Sequence, residues 1–300
     1  MIVAFNLILD DILFPDGRIE KNVLGGGGVQ TAFGMRLWTE DVGLVASVGK
    51  DFPPSQRKFL IDSGINIEGL RTVDAPTLRA EQILDTDGTR SHAWRVPLEA
   101  LQAHFPHRWE YLPERYRMAR GYHLGIHPLE ADLDFIAKLR QTGACISVET
   151  FREAERRLNE KELRGLLSLT DIFSPTRREA DSLLGKQSWE NHIRQFIEYG
   201  ARIVVLRMDL DGAAVAQEGN SSIMHVPAMP VEVKNPIGAG NAFCGGFLAG
   251  WLEYHDLYTA AVCGTVSASF LLEQVGMPVL DEALRVEAER RFNRLRKTGK

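Results

Sequence analysis

The stretch Asn235-Pro-Ile-Gly-Ala-Gly-Asn-Ala-Phe-Cys-Gly-Gly-Phe247 decides how this chain is read. A Gly-Ala-Gly turn, Gly238 to Gly240, opens a long apolar segment with helical spacing over residues 239 to 254. The first N–H groups of a helix have no partner inside it, and the helix dipole adds positive potential at that end. A glycine turn lets those groups converge on one spot. Such a spot suits an anion, including a phosphoryl group in transfer, whose charge spreads over its outer oxygens. Taken alone, the same residues also fit a glycine-rich helix start used for close packing.

Outward from this stretch, strands alternate with helices. Ile2 to Leu9 is a near-continuous apolar run that ends at Asp10-Asp11, as expected for a central strand covered on both faces. Val42 to Val48, Tyr122 to Ile126, Ala144 to Val148 and Ile203 to Met208 have the same character. Helical spacing is expected over 29–38, 129–142, 189–199, 256–273 and 281–297, and in two segments between 155 and 185 around a strand. Residues 213–217 and 223–227 look like a short β excursion. The alternation implies a mostly parallel sheet with right-handed crossovers, with ligand-binding residues at the carboxyl ends of its strands. Residues 12–24 and 76–97, the latter folded around an Asp87-Gly88 turn, instead suit a small separate sheet.

Two other motifs carry possible chemistry. Gly25-Gly-Gly-Gly-Val-Gln-Thr-Ala32 lets backbone approach a ligand closely. A dinucleotide fingerprint is disfavoured there, because the third glycine is missing and the preceding strand is poor. That leaves little for an oxidoreductase reading. Ser174-Pro-Thr-Arg-Arg-Glu179 follows the strand-like Ile172-Phe173. Its carboxylate could hold water around Mg²⁺, or the segment could be an ordinary N-terminal helix cap.

Composition bounds the function classes. The chain has 300 residues, 44% hydrophobic and 25% charged, and a net charge of −5. This suits one large α/β domain over residues 1–300, and nothing in it asks for nucleic acid or an anionic membrane. The basic residues Arg290, Arg291, Arg294, Arg296, Lys297 and Lys300 alternate with Glu287 and Glu289, which reads as a solvated face of a terminal helix. Cys145, Cys244 and Cys263 are too far apart in sequence for metal-ligand spacing, and an odd count suits a reducing compartment. The N-terminus has no basic leader or small-residue cleavage site, and no apolar run reaches the ~20 residues of a membrane span. A cytoplasmic location is expected.

The order of these motifs resembles the ribokinase-like (PfkB) carbohydrate kinase family. Gly25-Gly26 to Ala32 matches its first signature with Gln30 where Asn is usual. Asn235 to Phe243 matches its second, Asp-Thr-x-Gly-Ala-Gly-Asp and an aromatic, except at three positions. Val45 to Asp51 and Val205 to Ala213 resemble intermediate segments of the family, so the likeness runs along nearly the whole chain. It implies a three-layer α/β/α fold with a mostly parallel central sheet and a small β lid. It also implies a kinase that uses ATP and Mg²⁺ on a hydroxyl of a sugar or nucleoside, in a divergent branch with Asn at the catalytic aspartate position.

Position by position, the resemblance implies that Asp10, Gly26, Gly28 and Gln30 hold the substrate. It implies that Gly238, Ala239, Gly240 and Asn241 form the anion hole and base position. It assigns Arg207 and Gly212 to the ATP phosphates and ribose, and Thr265 and Ser269 to the adenine pocket. Glu179 would order the waters of Mg²⁺, with Thr176 replacing the family's Asn. Four departures bear on activity. Asn241 cannot take a proton near neutral pH, and loss of that base could cost about 10²- to 10⁴-fold in rate. Asn235-Pro236 replaces an Asp-Thr pair tied to monovalent-cation activation, so no strong potassium requirement is expected. Asp209 stands where a glycine is usual near the phosphates, and Thr176 weakens the metal-side motif. A non-catalytic protein that binds nucleotide or sugar and acts through a partner is therefore the alternative. His123 and His127 could face the substrate, stand in as a base, or be structural. Glu149 could touch Mg²⁺–ATP or a helix N-terminus. Ile83 and Trp94 on the lid hairpin could pair two copies into a homodimer.

Overall fold

The computed structural model describes residues 1–86, 90–105 and 107–298. The expected Asp87-Gly88 turn and the basic Lys300 lie outside the described residues. The strands in chain order are β1 (Ile2–Phe5), β2 (Ile8–Leu13), β3 (Ile19–Gly25), β4 (Val42–Val48), β5 (Leu70–Thr72), β6 (Arg79–Leu84), β7 (Arg90–Trp94), β8 (Gly121–Ile126), β9 (Cys145–Thr150), β10 (Ile172–Phe173), β11 (Ile203–Arg207), β12 (Ala213–Gln217) and β13 (Met224–Val226). The helices are α1 (Gly28–Arg36), α2 (Pro54–Asp62), α3 (Leu98–His104), α4 (Glu114–Arg117), α5 (Leu133–Arg140), α6 (Glu160–Leu167), α7 (Arg177–Leu184), α8 (Trp189–Glu198), α9 (Ala239–Tyr254), α10 (Leu257–Leu272) and α11 (Glu282–Thr298).

Nine strands form the main sheet in the order β13-β12-β11-β10-β9-β8-β1-β4-β5. Pairing is parallel from β11 to β5 and antiparallel at β11–β12 and β12–β13. Side chains of successive strand residues leave opposite faces, and the core divides accordingly. Ile2 and Ala4 join one hydrophobic cluster with α1, α9 and α10, while Val3 and Phe5 join another with α5, α6, α7 and α8. The result is a three-layer sandwich. The strand order reverses at β1, whose neighbours β4 and β8 are reached by connections running in opposite directions along the sheet, and ligands of such folds bind at that kind of reversal.

The first apolar run is not one strand. Asn6 takes a positive φ of 79° and breaks it. Residues before the break pair with β4 and β8, and residues after it pair with β3 and β6 in a separate four-stranded sheet ordered β3-β2-β6-β7. The small sheet therefore begins at Ile8, earlier than expected, and Asp10 sits inside it, not at the end of the central strand. Both sheets bury their share of this run, so hydropathy alone shows no seam. Residues 53 to 77 carry α2 and β5, which the patterning does not announce, because α2 buries only Leu60 fully and β5 has three residues.

Helix α9 is held against α1 and α10 by missing side chains. A Cβ on Gly34 would stand 2.1 Å from the carbonyl oxygen of Ala242, and one on Gly245 would stand 2.0 Å from that of Thr31. This close approach fixes where the N-terminus of α9 points. On the C-terminal helix Arg290, Arg294, Arg296 and Lys297 are exposed, as expected, but Arg291 turns inward, stacks on Phe270 and bonds Ser269 and Glu273 beside the buried Phe292 and Leu295.

Candidate active site

The carboxyl ends of β8, β9 and β11 and the N-terminus of α9 meet at one place. Gly238 adopts the left-handed conformation, φ 85°, and turns the chain into α9, so the N–H groups of Ala239, Gly240 and Asn241 open the helix. Asn235 is buried, and its Oδ1 accepts the N–H of Ile237, which shapes the entry to the turn.

The two glycine motifs, 210 residues apart, are in contact. Thr31 donates its hydroxyl to the carbonyl oxygen of Asn241 at 3.2 Å. A Cβ on Gly27 would lie 3.2 Å from Asn241 Nδ2, and one on Gly238 would lie 2.5 Å from Gln30 Cγ. Gln30 itself donates to the carbonyl of Leu24 at 3.1 Å, which secures the turn between β3 and α1. Gly26 and Gly28 are required for a different reason than ligand approach alone: Cβ atoms there would strike the backbone of Ile8 and Phe5.

Asp10 lies at the other end of the glycine loop, with Oδ2 where a Cβ of Gly25 would be. Gln82, an inward residue of β6, donates to Asp10 Oδ1 at 2.9 Å. Burial raises the Asp10 carboxyl to about 6, only partly offset by Gln82 and Arg90. Gln82 has no counterpart in the motifs. Its signal is its place in the alternating burial of β6.

Beneath the α9 turn is a compact charged cluster. Arg207 Nη1 pairs with Glu149 Oε2 at 2.9 Å and Nη2 with Glu179 Oε2 at 3.4 Å. A Cβ on Gly240 would lie 2.3 Å from Arg207 Nη1, so the guanidinium packs directly against the first turn of α9. Glu149 Oε1 accepts from Asn241 Nδ2 at 2.5 Å and bonds His123 Nε2 at 3.2 Å. His123 Nδ1 meets Ser147 Oγ at 2.9 Å. Burial pushes the Glu149 carboxyl up, but Arg207, His123 and Asn241 outweigh it and hold it down to about 2. For Glu179 burial wins and the carboxyl is raised, because the guanidinium is farther away. Arg207 stays charged, since its anionic neighbours more than offset its own burial.

Several expected roles change. His123 is buried and bonded to both Glu149 and Ser147, in keeping with the structural reading of this residue. His127 accepts the N–H of Leu129 and packs on Phe151, away from the cluster. Thr176 and Glu179 form a reciprocal capping box at the start of α7, as the plainer reading of that motif had it. Gly212, φ 86°, is a tight turn whose Cβ would strike the carbonyl oxygen of Val226. Asp209, φ 52°, holds the left-handed conformation that a glycine would take without cost. Ser269 is committed to Val266 and Arg291, and Thr265 is buried in α10.

His123, Glu149 and Cys244 place their donor atoms within 4.8 Å of one another. The Arg207 guanidinium already pairs with Glu149 and opposes a cation bound directly at this trio. The guanidinium lies farther from Glu179, where a cation held through water would fit. Two carboxylates share one arginine here, leaving negative charge in excess beside the N-terminus of α9. A hydrated divalent cation would balance it, held by the Glu179 oxygen not engaged by Thr176 and Arg207.

The sequence pattern of the pfkB family carbohydrate kinases matches residues 16–280. A cytidine kinase of Thermococcus kodakarensis is 26% identical over 276 residues, covering 92% of this chain and 97% of that protein. A nucleoside kinase of Methanothermobacter thermautotrophicus is 26% identical over 284 residues, covering 91% and 88%. The fold is similar to that of an aminoimidazole riboside kinase from Salmonella enterica solved with aminoimidazole riboside and an ATP analog, with a TM-score of 0.78, 18% identity, and coverage of 97% of this chain and 99% of that one.

Proposed function

The chain belongs to the pfkB family of carbohydrate kinases, and from that premise we propose that it transfers the γ-phosphoryl group of ATP to a hydroxyl of a nucleoside or a related sugar. The observation that carries this reading is the α9 turn, with the Gly240 and Asn241 N–H groups in the first turn of the helix and the Arg207 guanidinium packed against Gly240. That arrangement offers fixed positive potential where charge gathers on a phosphoryl group, and phosphoryl transfer depends chiefly on such positioning and charge stabilisation. The relatives named cytidine kinase and nucleoside kinase support a nucleoside acceptor. Glu179 would hold the Mg²⁺ bound with ATP through water, and that ion would supply charge neutralisation for the phosphates.

In this reading Asp10 accepts hydrogen bonds from sugar hydroxyls, while the glycine loop brings the backbone close. The acceptor oxygen bonds to the γ-phosphorus as the bond to the β,γ-bridging oxygen breaks, and those electrons leave with ADP. The alternative of a non-catalytic binding protein gains no support from relatives named cytidine kinase, nucleoside kinase and ribose-1-phosphate kinase. The test is a thermal-shift series with Mg–ATP, ADP, cytidine, adenosine and ribose, followed by ADP-release assays on each acceptor. Stabilisation by Mg–ATP and by at least one acceptor is expected. Absence of any nucleotide shift would remove the reading.

No helix among the described residues is long and apolar enough to cross a membrane. The kinase reading also supports the expected cytoplasmic location, where ATP is available. Pairing of two copies through the small sheet is supported by Trp94 and Ile19, which stand 41% and 52% exposed on its two edge strands, β7 and β3. A monomer in sedimentation experiments would end that part of the reading.

A further inference from the structure

We infer that Glu149 is a positioning residue that locks the Asn241 amide in one orientation, turning Asn241 Oδ1 toward the acceptor hydroxyl, so that the site keeps a hydrogen-bond acceptor where its family keeps a carboxylate. The inference rests on the kinase reading for its consequence, but not for its geometry. Glu149 is about 3% exposed, whereas Asn241 is partly open. The buried carboxylate already receives Arg207 on one oxygen and His123 on the other. With no proton of its own, it can only accept. The Asn241 atom 2.5 Å away must therefore be the NH₂ nitrogen, because an amide oxygen there would repel it. The amide oxygen then faces the opposite way.

Asn241 meets this cluster through Glu149 on β9, and Glu149 in turn faces His123 on β8, Arg207 on β11 and Cys244 on α9, with Glu179 on α7 across the guanidinium. An aspartate at 241 would be pressed against Glu149, and the two carboxylates would share a proton. The amide is thus matched to the carboxylate beneath it. Asn241 Oδ1 can accept a hydrogen bond from the attacking hydroxyl and aim its lone pair at phosphorus. The O–H bond then breaks late, with the proton passing to an oxygen of the transferred phosphoryl group and from there to water.

The first test does not depend on any substrate. Protein labelled with ¹⁵N at asparagine side chains should show one Nδ2–H, assigned by its loss in N241D, that is shifted downfield and exchanges slowly with solvent. E149Q, checked for a retained melting transition, should return it to the solvent-exposed range. A fast-exchanging Asn241 amide in the wild type would overturn the inference. The second test compares wild type, N241D and N241D/E149Q by ADP release with Mg–ATP and cytidine or ribose. The double variant should exceed N241D by about 10²-fold, since only there does the new carboxylate have an amide donor beneath it. N241D alone should gain less than about 10-fold at neutral pH and should rise with pH as the shared proton leaves. A large gain in N241D alone, with no rise with pH, overturns the inference even if the double variant fails to fold. Loss of the Mg–ATP thermal shift in the wild type would instead count against the kinase reading, leaving the amide result standing.

Discussion

Gly240 and Arg207 are packed so closely that a methyl group on the glycine would lie 2.3 Å from Arg207 Nη1. The guanidinium has little freedom to yield, because Glu149 and Glu179 hold it from either side. This contact joins the first turn of α9 to the buried charges beneath it.

Gly240→Ala should therefore disturb both. Displacing Arg207 strains a buried ion pair, and the extra methyl narrows the turn. We expect a loss of stability of about 1–3 kcal/mol, typical of overpacking, measured by urea denaturation. The Mg–ATP thermal shift should also fall, while the response to a sugar or nucleoside acceptor is kept.

Arg207→Ala should be more damaging. It leaves Glu149 and Glu179 buried together without a cation, and breaking a buried pair in this way costs about 3–5 kcal/mol. Adding Glu149→Gln to the same chain should recover part of the loss, because one uncompensated charge disappears. Equal stability of the single and double variants would contradict the arrangement.

Asp10 should make stability fall as pH rises. Its folded-state carboxyl is raised from 3.8 to about 6, so folding favours the protonated form. The cost of ionising it appears between about pH 4 and 6 and is full above that range, at about 3 kcal/mol. Asp10→Asn should therefore raise the melting temperature at pH 7.5 and give no gain below about pH 4. The same variant should weaken binding of the acceptor, since the carboxylate that accepts its hydroxyls is gone.

Glu149 should act in the opposite sense. Its carboxyl is held down to about 2, so its contribution is complete above the unfolded value of 4.5 and is lost as pH falls from there toward 2. Glu149→Gln should remove that acid-sensitive component from the stability profile followed by circular dichroism.

Gly245→Ala tests the packing that aims α9. The new Cβ would lie 2.0 Å from the carbonyl oxygen of Thr31, a backbone atom that cannot swing aside. We expect destabilisation of about 1–3 kcal/mol or more, and a weaker Mg–ATP shift because the helix start moves away from α1.

The sequence alone determined the alternation of strands and helices, the parallel sheet and the glycine turn that opens α9. Each is written in local chemistry: apolar runs such as Val42 to Val48, helical spacing, and a Gly-Ala-Gly start. It also marked Asp10, Glu149 and Asn241 as residues of interest. Tertiary structure alone decided how these groups act on one another. The break at Asn6 moved Asp10 into the small sheet, although both halves of the run are equally apolar. Glu149 and Asn241 are 92 residues apart, and their hydrogen bond exists only because β9 ends beneath the first turn of α9. The reason is physical: backbone preference and hydropathy are properties of neighbouring residues, whereas the charge, protonation and orientation of a buried side chain are set by whatever distant groups the fold places within a few ångströms of it.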